Sequence, residues 1–104
     1  GLQIESPDGS WLDVPYIDKS FVINIGDLLS VWTNDRWVST MHRVVNPPRE
    51  EAGQSRQSLA FFHQPNFDAK ISCISSCKSI DNPPKYGDVK AGEWILAKLQ
   101  KSVD

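Results

Sequence analysis

The sequence predicts a mainly β fold, a sandwich or jelly roll with one C-terminal helix. About six or seven short apolar runs alternate with turn signals roughly every 8–12 residues, a spacing typical of antiparallel β-proteins. Only one stretch, near the C-terminus, has apolar residues at helical spacing. The chain has 104 residues. Because this length suits one hydrophobic core, we expect a single domain over residues 1–104.

The N-terminus predicts a β-hairpin. Residues 2–5 alternate between apolar and polar side chains, as the two faces of a strand do. A turn signal follows over residues 6–10, where Pro presets φ and an Asp-Gly pair supports a tight reversal. Residues 11–14 alternate again, and Pro15 ends this second strand.

Four further strands are predicted in the middle of the chain, at residues 21–25, 38–45, 55–63 and 69–74. Each is rich in β-branched or aromatic residues and is bounded by residues typical of turns. Residues 28–33 fit either one helical turn or a short strand, and the pattern leaves both open.

The last element is a helix over residues 91–101. Trp94, Leu96 and Leu99, with Ile95 beside them, approximate an apolar stripe along this helix. We therefore expect the helix to be a C-terminal appendage of the β fold.

Charge and composition bear on the partners of the chain. The formal net charge is −2 and no basic patch stands out, so we expect no nucleic-acid partner. No apolar run approaches the roughly 20 residues that span a bilayer, and no signal peptide is visible, so we expect no membrane partner and a cytoplasmic location. The chain begins without Met and opens directly on a strand, so we expect it to be part of a longer protein.

The two cysteines, Cys73 and Cys77, are too few for a disulfide framework. Their Cys-x-x-x-Cys spacing is uncommon for a zinc pair, and no second pair of ligands accompanies it. Free thiols are the favoured interpretation, with a local disulfide and metal binding as the alternatives.

Arg56 and Ser58 form the first candidate binding pair. Residues i and i+2 share one face of a strand, so both side chains point the same way, together with Ala60 and Phe62. An Arg inside a barrel needs an anionic partner, and a ligand carboxylate accepts hydrogen bonds well from a guanidinium and a hydroxyl. The alternative is an edge Arg that faces solvent.

His42 lies in the middle of a predicted strand, with Val44 on its own face. A histidine there is either a satisfied core or rim residue or a metal ligand, and imidazole by itself does not select the metal. His63 is a weaker candidate. Its position puts it on the opposite strand face from Arg56, and only a bulge would reverse that.

These residues carry a family resemblance. The chain resembles the C-terminal half of the iron(II)/2-oxoglutarate-dependent dioxygenases and, more narrowly, their isopenicillin N synthase-like branch. The resemblance covers nearly the whole chain in order, and it is carried by residues 21–44 and 55–62, the opening residues 1–4, the 8–11 turn, and residues 65–69 and 91–94.

The resemblance implies a double-stranded β-helix, a jelly-roll relative of the cupins, here partial. In that family a His-x-Asp…His triad holds iron(II) and leaves positions open for 2-oxoglutarate and dioxygen. His42 matches the distal histidine, and Arg56 and Ser58 match the residues that bind the distal carboxylate of 2-oxoglutarate. The implied activity is oxidation of a small organic substrate by hydroxylation, desaturation or cyclisation.

The chain departs from the family pattern at one point, because no His-x-Asp occurs in it. The alternative hypothesis is therefore a catalytically incomplete jelly-roll fragment that acts as a structural or self-associating module, as a homodimer that covers exposed sheet edges. The dioxygenase hypothesis makes a geometric prediction: His42, Arg56 and Ser58 should point into the same concave face.

Overall fold

A computed structural model describes residues 1–103 as two compact units, each built from two stretches of chain. Unit 1 comprises Gly1–Asn24 and Thr40–Phe61, and unit 2 comprises Ile25–Ser39 and Phe62–Asp104. The single domain that the length predicts stays a prediction. The combination of β-strands with a C-terminal helix is confirmed.

Unit 1 contains a three-stranded antiparallel sheet. Its strands are β1 (Leu2–Glu5), β2 (Trp11–Asp13) and β3 (His42–Val44), in the order β2-β1-β3. The predicted hairpin is confirmed, because β1 pairs with β2. Gly9 has a φ of 84°, a left-handed conformation that glycine adopts without steric cost and that closes the turn.

The register of this sheet separates an apolar face from a polar one. Gln3 is paired with both Asp13 and Arg43, and these three side chains form a hydrogen-bonded row. Gln3 Nε2 donates to Asp13 Oδ1 at 2.9 Å, and Arg43 Nε donates to Gln3 Oε1 at 2.8 Å. The Arg43 guanidinium also lies 4.0 Å from the centroid of the Trp11 ring, a cation–π contact. The other face carries the apolar residues Leu2, Ile4, Leu12 and Val44.

Unit 2 contains the two helices and a two-stranded sheet. The helices are α1 (Asp27–Trp32) and α2 (Ala91–Val103). Strands β4 (Lys70–Ile71) and β5 (Val89–Lys90) pair in antiparallel fashion. Short 3-10 turns occur at Arg49–Glu51 in unit 1 and at Ser75–Cys77 in unit 2. Residues 28–33, which the sequence left open, are therefore mostly helical.

The buried core of unit 2 is small. Among the described residues it consists of Val31, Ile71 and Ala91, with four partly buried residues packed around them: Leu28, Ala69, Val89 and Trp94. Leu96 and Leu99 are 51% and 58% exposed, so the predicted apolar stripe of α2 is wrong for these two residues. Trp94 packs against the core because it lies one turn after Ala91.

Two predicted strands are wrong. Residues 21–25 and 55–63 lie outside every strand of the described part of the chain, and Phe21 and Leu59 are 95% and 93% exposed. A strand is defined by hydrogen bonds to a neighbour, so an apolar alternating run without a neighbour stays extended coil. The predicted strands at 38–45 and 69–74 are present but shorter.

The structure also bears on the two cysteines and on the lengths of the helices. Cys73 and Cys77 are free thiols, as the favoured interpretation expects. Within residues 1–103, no helix has the length and apolar character needed to cross a membrane.

An ion pair joins the two helices of unit 2, and it should make the stability of this unit depend on pH. Lys98 Nζ lies 3.0 Å from Asp27 Oδ2 and 5.3 Å from the centroid of the Trp94 ring. The hydrogen bond from Lys98 lowers the pKa of Asp27 below its ordinary value of 3.8, against the opposing effect of burial. Because the folded-state pKa is depressed, the stabilisation is present above pH 3.8 and is lost as the pH falls through the folded-state value.

We expect Asp27→Asn to reduce the loss of stability between about pH 6 and about pH 3. The measurement is the urea midpoint of unfolding at each pH. Lys98→Met keeps the apolar stem over Trp94 and removes the charge, so it should reduce the pH dependence in the same way. An unchanged pH dependence in Asp27→Asn would show that the pair contributes nothing.

Candidate active site

His42 is the first residue of β3 and projects from the apolar face of the unit 1 sheet. It is paired with Ile4, which is paired in turn with Leu12 on β2. Paired residues of an antiparallel sheet point to the same side. The imidazole therefore shares a face with Leu2, Ile4, Leu12 and Val44. The imidazole is exposed, as is Val44 on the same face, which is 81% exposed.

The Nδ1 atom of His42 has two hydrogen-bonding neighbours, and both are in unit 1. The Thr40 carbonyl oxygen lies 3.1 Å away, and Asn24 Nδ2 also lies 3.1 Å away. The Nε2 atom has no hydrogen bond within residues 1–103. The ring is thus held through one nitrogen while the other stays accessible to a ligand.

Arg56 and Ser58 lie in an exposed segment of unit 1 outside all helices and strands. The strand that was expected to place their side chains on one face is absent from the described residues. Their donor chemistry nevertheless suits a carboxylate, because a guanidinium forms paired hydrogen bonds and a hydroxyl adds a third donor. Their orientation toward the same concave face as His42 stays a prediction.

His63 lies in a different unit from His42. It belongs to unit 2 and is exposed, outside the helices and strands. Its weaker candidacy as a ligand stays a prediction.

The described residues do not by themselves fit an iron ion. No group of three His, Cys, Asp or Glu side chains within residues 1–103 is placed to hold a metal. The iron(II) site of oxygenases needs two histidines and one carboxylate. His42 alone therefore supplies at most one of the ligands.

Asn24 is the residue of this site that the sequence analysis did not single out. It lies in the apolar run 21–25, which was predicted as a strand, and its side chain reaches a histidine 18 positions away. The signal for this contact in the sequence was one carboxamide side chain inside an otherwise apolar run. That signal does not specify the partner, because the contact depends on tertiary structure.

Comparison with protein families places the chain among oxygenases. The profile of the 2OG-Fe(II) oxygenase superfamily matches residues 1–65, a range that includes His42, Arg56 and Ser58. Two curated relatives span the chain. Kihadalactone A synthase of Citrus sinensis is 37% identical over 88% of this chain and 25% of its own length. A homoarginine-6-hydroxylase of Arabidopsis thaliana is 40% identical over 95% of this chain and 30% of its own length.

Solved structures give the same result. A 2OG-Fe(II) oxygenase family protein from Caulobacter crescentus superposes with a TM-score of 0.89 at 38% identity, over 97% of this chain and 33% of that one. A full-length Neurospora crassa protein in complex with alpha-KG superposes with a TM-score of 0.80 at 33% identity, over 96% of this chain and 31% of that one. The chain thus spans about a quarter to a third of the proteins that it matches.

Proposed function

Because the chain belongs to the 2OG-Fe(II) oxygenase superfamily, we propose that it forms part of an enzyme that oxidises a small organic substrate with dioxygen. Fe(II) and 2-oxoglutarate are the cofactors of this superfamily, as the sequence predicted. Homologues carry the name 2-oxoglutarate-Fe(II) type oxidoreductase. The proposed reaction is a hydroxylation, a desaturation or a cyclisation of that substrate.

We assign each candidate residue one task. His42 is one iron ligand, and Arg56 and Ser58 bind the distal carboxylate of 2-oxoglutarate. We propose that the remaining iron ligands are supplied from outside residues 1–103, within which no group of three His, Cys, Asp or Glu side chains is placed to hold a metal. We propose that a double-stranded β-helix brings these residues together, and the three-stranded antiparallel sheet of unit 1 supports this.

One observation carries this proposal. His42 lies on the apolar face of the unit 1 sheet, while its neighbour Arg43 is bonded to Gln3 on the polar face. The match of residues 1–65 to the oxygenase profile supports the same assignment, in which bound cofactor would supply the oxidative chemistry and the protein its orientation.

The exposed Arg56 and Ser58 suit a ligand that arrives with negative charge. A guanidinium is always protonated, and its fork matches the two oxygens of a carboxylate. The Ser58 hydroxyl lies two residues away and adds a donor without adding charge. Together they fit one end of a dicarboxylate and leave its other end for the metal.

The experiment is an anaerobic titration with Fe(II) and 2-oxoglutarate of a longer protein that contains these 104 residues, followed by the weak visible charge-transfer band of the bidentate complex. We expect the band to be lost in His42→Ala and to require about tenfold or more 2-oxoglutarate in Arg56→Leu, because a charge-assisted pair is removed. His63→Ala is the matched histidine control and should leave the band unchanged.

A band that survives in His42→Ala would overturn the assignment of this ligand. No band in the wild-type protein would overturn the proposed iron site. The homodimer, the absence of a nucleic-acid partner and the cytoplasmic location stay predictions.

A further inference from the structure

Cys73 and Cys77 stand at the two ends of a tight turn in unit 2. The backbone is extended at Ile74 and again at Lys78, and Ser75–Cys77 between them form a 3-10 turn. A chain that is extended on both sides of such a turn reverses its direction there. The two cysteines, which are four positions apart in sequence, are therefore folded back toward each other.

One carbonyl oxygen contacts both cysteines. The Cys77 N–H donates to the Ile74 carbonyl oxygen at 2.9 Å, and the Cys73 thiol lies 3.6 Å from the same oxygen. Because both groups lie against one atom, the Cys73 sulfur is close to the Cys77 backbone. A disulfide requires such an approach, since the Cα atoms that it joins are usually about 4.4–6.8 Å apart.

Helix α1 and the residues after it hold the turn in this shape. The Ile74 N–H donates to the Trp32 carbonyl at 2.9 Å, at the C-terminal end of α1. The Cys77 carbonyl accepts from Asn34 Nδ2 at 3.1 Å. Both ends of the turn are thus fixed to one support, which limits how far the two sulfur atoms can move apart.

The two thiols are also accessible to a small oxidant. Both cysteines are free and half-buried, and Ser75 and Ser76 between them are exposed. The Cys77 sulfur lies 4.0 Å from the hydroxyl of the exposed Ser76. Exposure is one condition for the oxidation of a thiol, and a second thiol nearby converts the oxidised sulfur into a disulfide.

We propose that Cys73 and Cys77 form a redox-sensitive pair, which hydrogen peroxide converts into an intrachain disulfide. Peroxide first oxidises one thiol to a sulfenic acid, and one water leaves. The second thiol then attacks that sulfur, a sulfur–sulfur bond forms, and the hydroxyl departs with the thiol proton as a second water. Each sulfur loses one electron, and each oxygen atom of the peroxide gains one. A dithiol reductant, itself oxidised to a disulfide, restores both thiols.

The test measures the state of this pair in a longer protein that contains these residues. The protein is treated with a small excess of hydrogen peroxide, its free thiols are alkylated, and it is digested with trypsin. Cleavage after Lys70 and Lys78 releases residues 71–78, which contain both cysteines. By mass spectrometry we expect this peptide to be unalkylated and two hydrogen atoms lighter. After reduction with dithiothreitol it should carry two alkyl groups.

A displaced thiol is the matched control. The Ser72 side chain is hydrogen-bonded to Asp88, and successive residues of an extended chain point to opposite sides. The double variant with Cys73→Ser and Ser72→Cys therefore keeps two thiols in the same peptide but directs one of them away from the turn. We expect it to form the disulfide about fivefold more slowly than the wild type. Cys77→Ser leaves one thiol and should give no lighter peptide.

Three results would overturn the inference. A wild-type peptide that keeps two alkyl groups after peroxide would show that the pair is not oxidised. A peptide that gains oxygen atoms, or that is linked to a different peptide, would show that the two sulfur atoms do not reach each other. A displaced-thiol variant that reacts at the wild-type rate would show that the turn does not direct the reaction. Circular dichroism of each variant shows whether the fold is retained, and the wild-type result stands without the variants.

Discussion

Asn34→Ala is expected to destabilise unit 2 by about 3 kcal/mol or more, the largest effect that we expect of a single substitution. The Asn34 side chain is 4% exposed and makes three hydrogen bonds to the backbone. Its Nδ2 donates to the carbonyls of Cys77 and Pro83 at 3.1 and 3.2 Å. Its Oδ1 accepts from the Lys85 N–H at 2.8 Å.

The magnitude follows from what the truncation leaves behind. The Pro83 carbonyl and the Lys85 N–H lose this partner in a part-buried position, while the Cys77 carbonyl still accepts from Asn82 Nδ2 at 3.4 Å. An unsatisfied buried group costs about 1–3 kcal/mol. Asn34 also has a φ of 53°, a left-handed conformation that Asn tolerates and Ala does not. Since the core of unit 2 is small, this loss is a large share of a typical folding free energy of about 5–15 kcal/mol.

The measurement is urea unfolding followed by the circular dichroism of α2, where the midpoint should fall by roughly 1–3 M. Asn34→Gly separates the two causes, because glycine accepts the positive φ and lacks the side chain. It should recover about 1 kcal/mol relative to Asn34→Ala. If Asn34→Gly matched the wild type, the three hydrogen bonds would carry no stability.

The next residue, Asp35, adds further hydrogen bonds from the turn after α1 to the same segment. Asp35 also has a positive φ, of 62°. It accepts hydrogen bonds from the Tyr86 hydroxyl at 2.8 Å and from Lys85 Nζ at 3.2 Å. Two consecutive left-handed residues therefore direct two side chains onto the segment that holds Lys85 and Tyr86. Such conformations persist only where the surroundings stabilise them.

The elements that the sequence predicted well are those whose cause is local. The β1–β2 hairpin follows from alternation on both sides of a turn with glycine at position 9, and α2 follows from helical spacing near the C-terminus. Residues 21–25 and 55–63 have the same strand composition but no pairing neighbour in the described chain. Pattern alone cannot distinguish these cases, because hydrogen bonding to a neighbour is a tertiary property. β5 was missed because two residues are too few for a period.

The sequence likewise predicted only some of the residues of the candidate site. Spacing alone left His42 and Arg56 open between structural and binding roles, and the family resemblance favours the binding roles, which stay a proposal. The register of β3 then placed His42 on the apolar face of the sheet, which no local pattern specified. Asn24 and Asn34 were missed because each acts on partners 18 or more residues away. In sequence, Asn34 resembled an ordinary loop residue.

Gly92→Ala is expected to destabilise unit 2 by about 2 kcal/mol, although alanine normally favours a helix over glycine. A Cβ on Gly92 would overlap the Phe67 ring, including its Cγ at the base. The backbone cannot easily move away, because the Gly92 N–H donates to the Phe67 carbonyl and the Ala91 N–H donates to the Ala69 carbonyl, both at 2.9 Å. The ring must therefore rotate outward and lose its contact with the start of α2.

The sign of this effect should reverse when the ring is removed. In a Phe67→Ala background, Gly92→Ala meets no ring and should stabilise the chain by up to about 1 kcal/mol, the ordinary helix preference. Gly87→Ala is the control in unit 2, because no heavy atom lies within 4 Å of a Cβ built there. It should be neutral or slightly stabilising. Phe67 is 62% exposed, so its ring has room to leave. If Gly92→Ala cost the same with and without the ring, the strain would lie in the backbone of α2 instead.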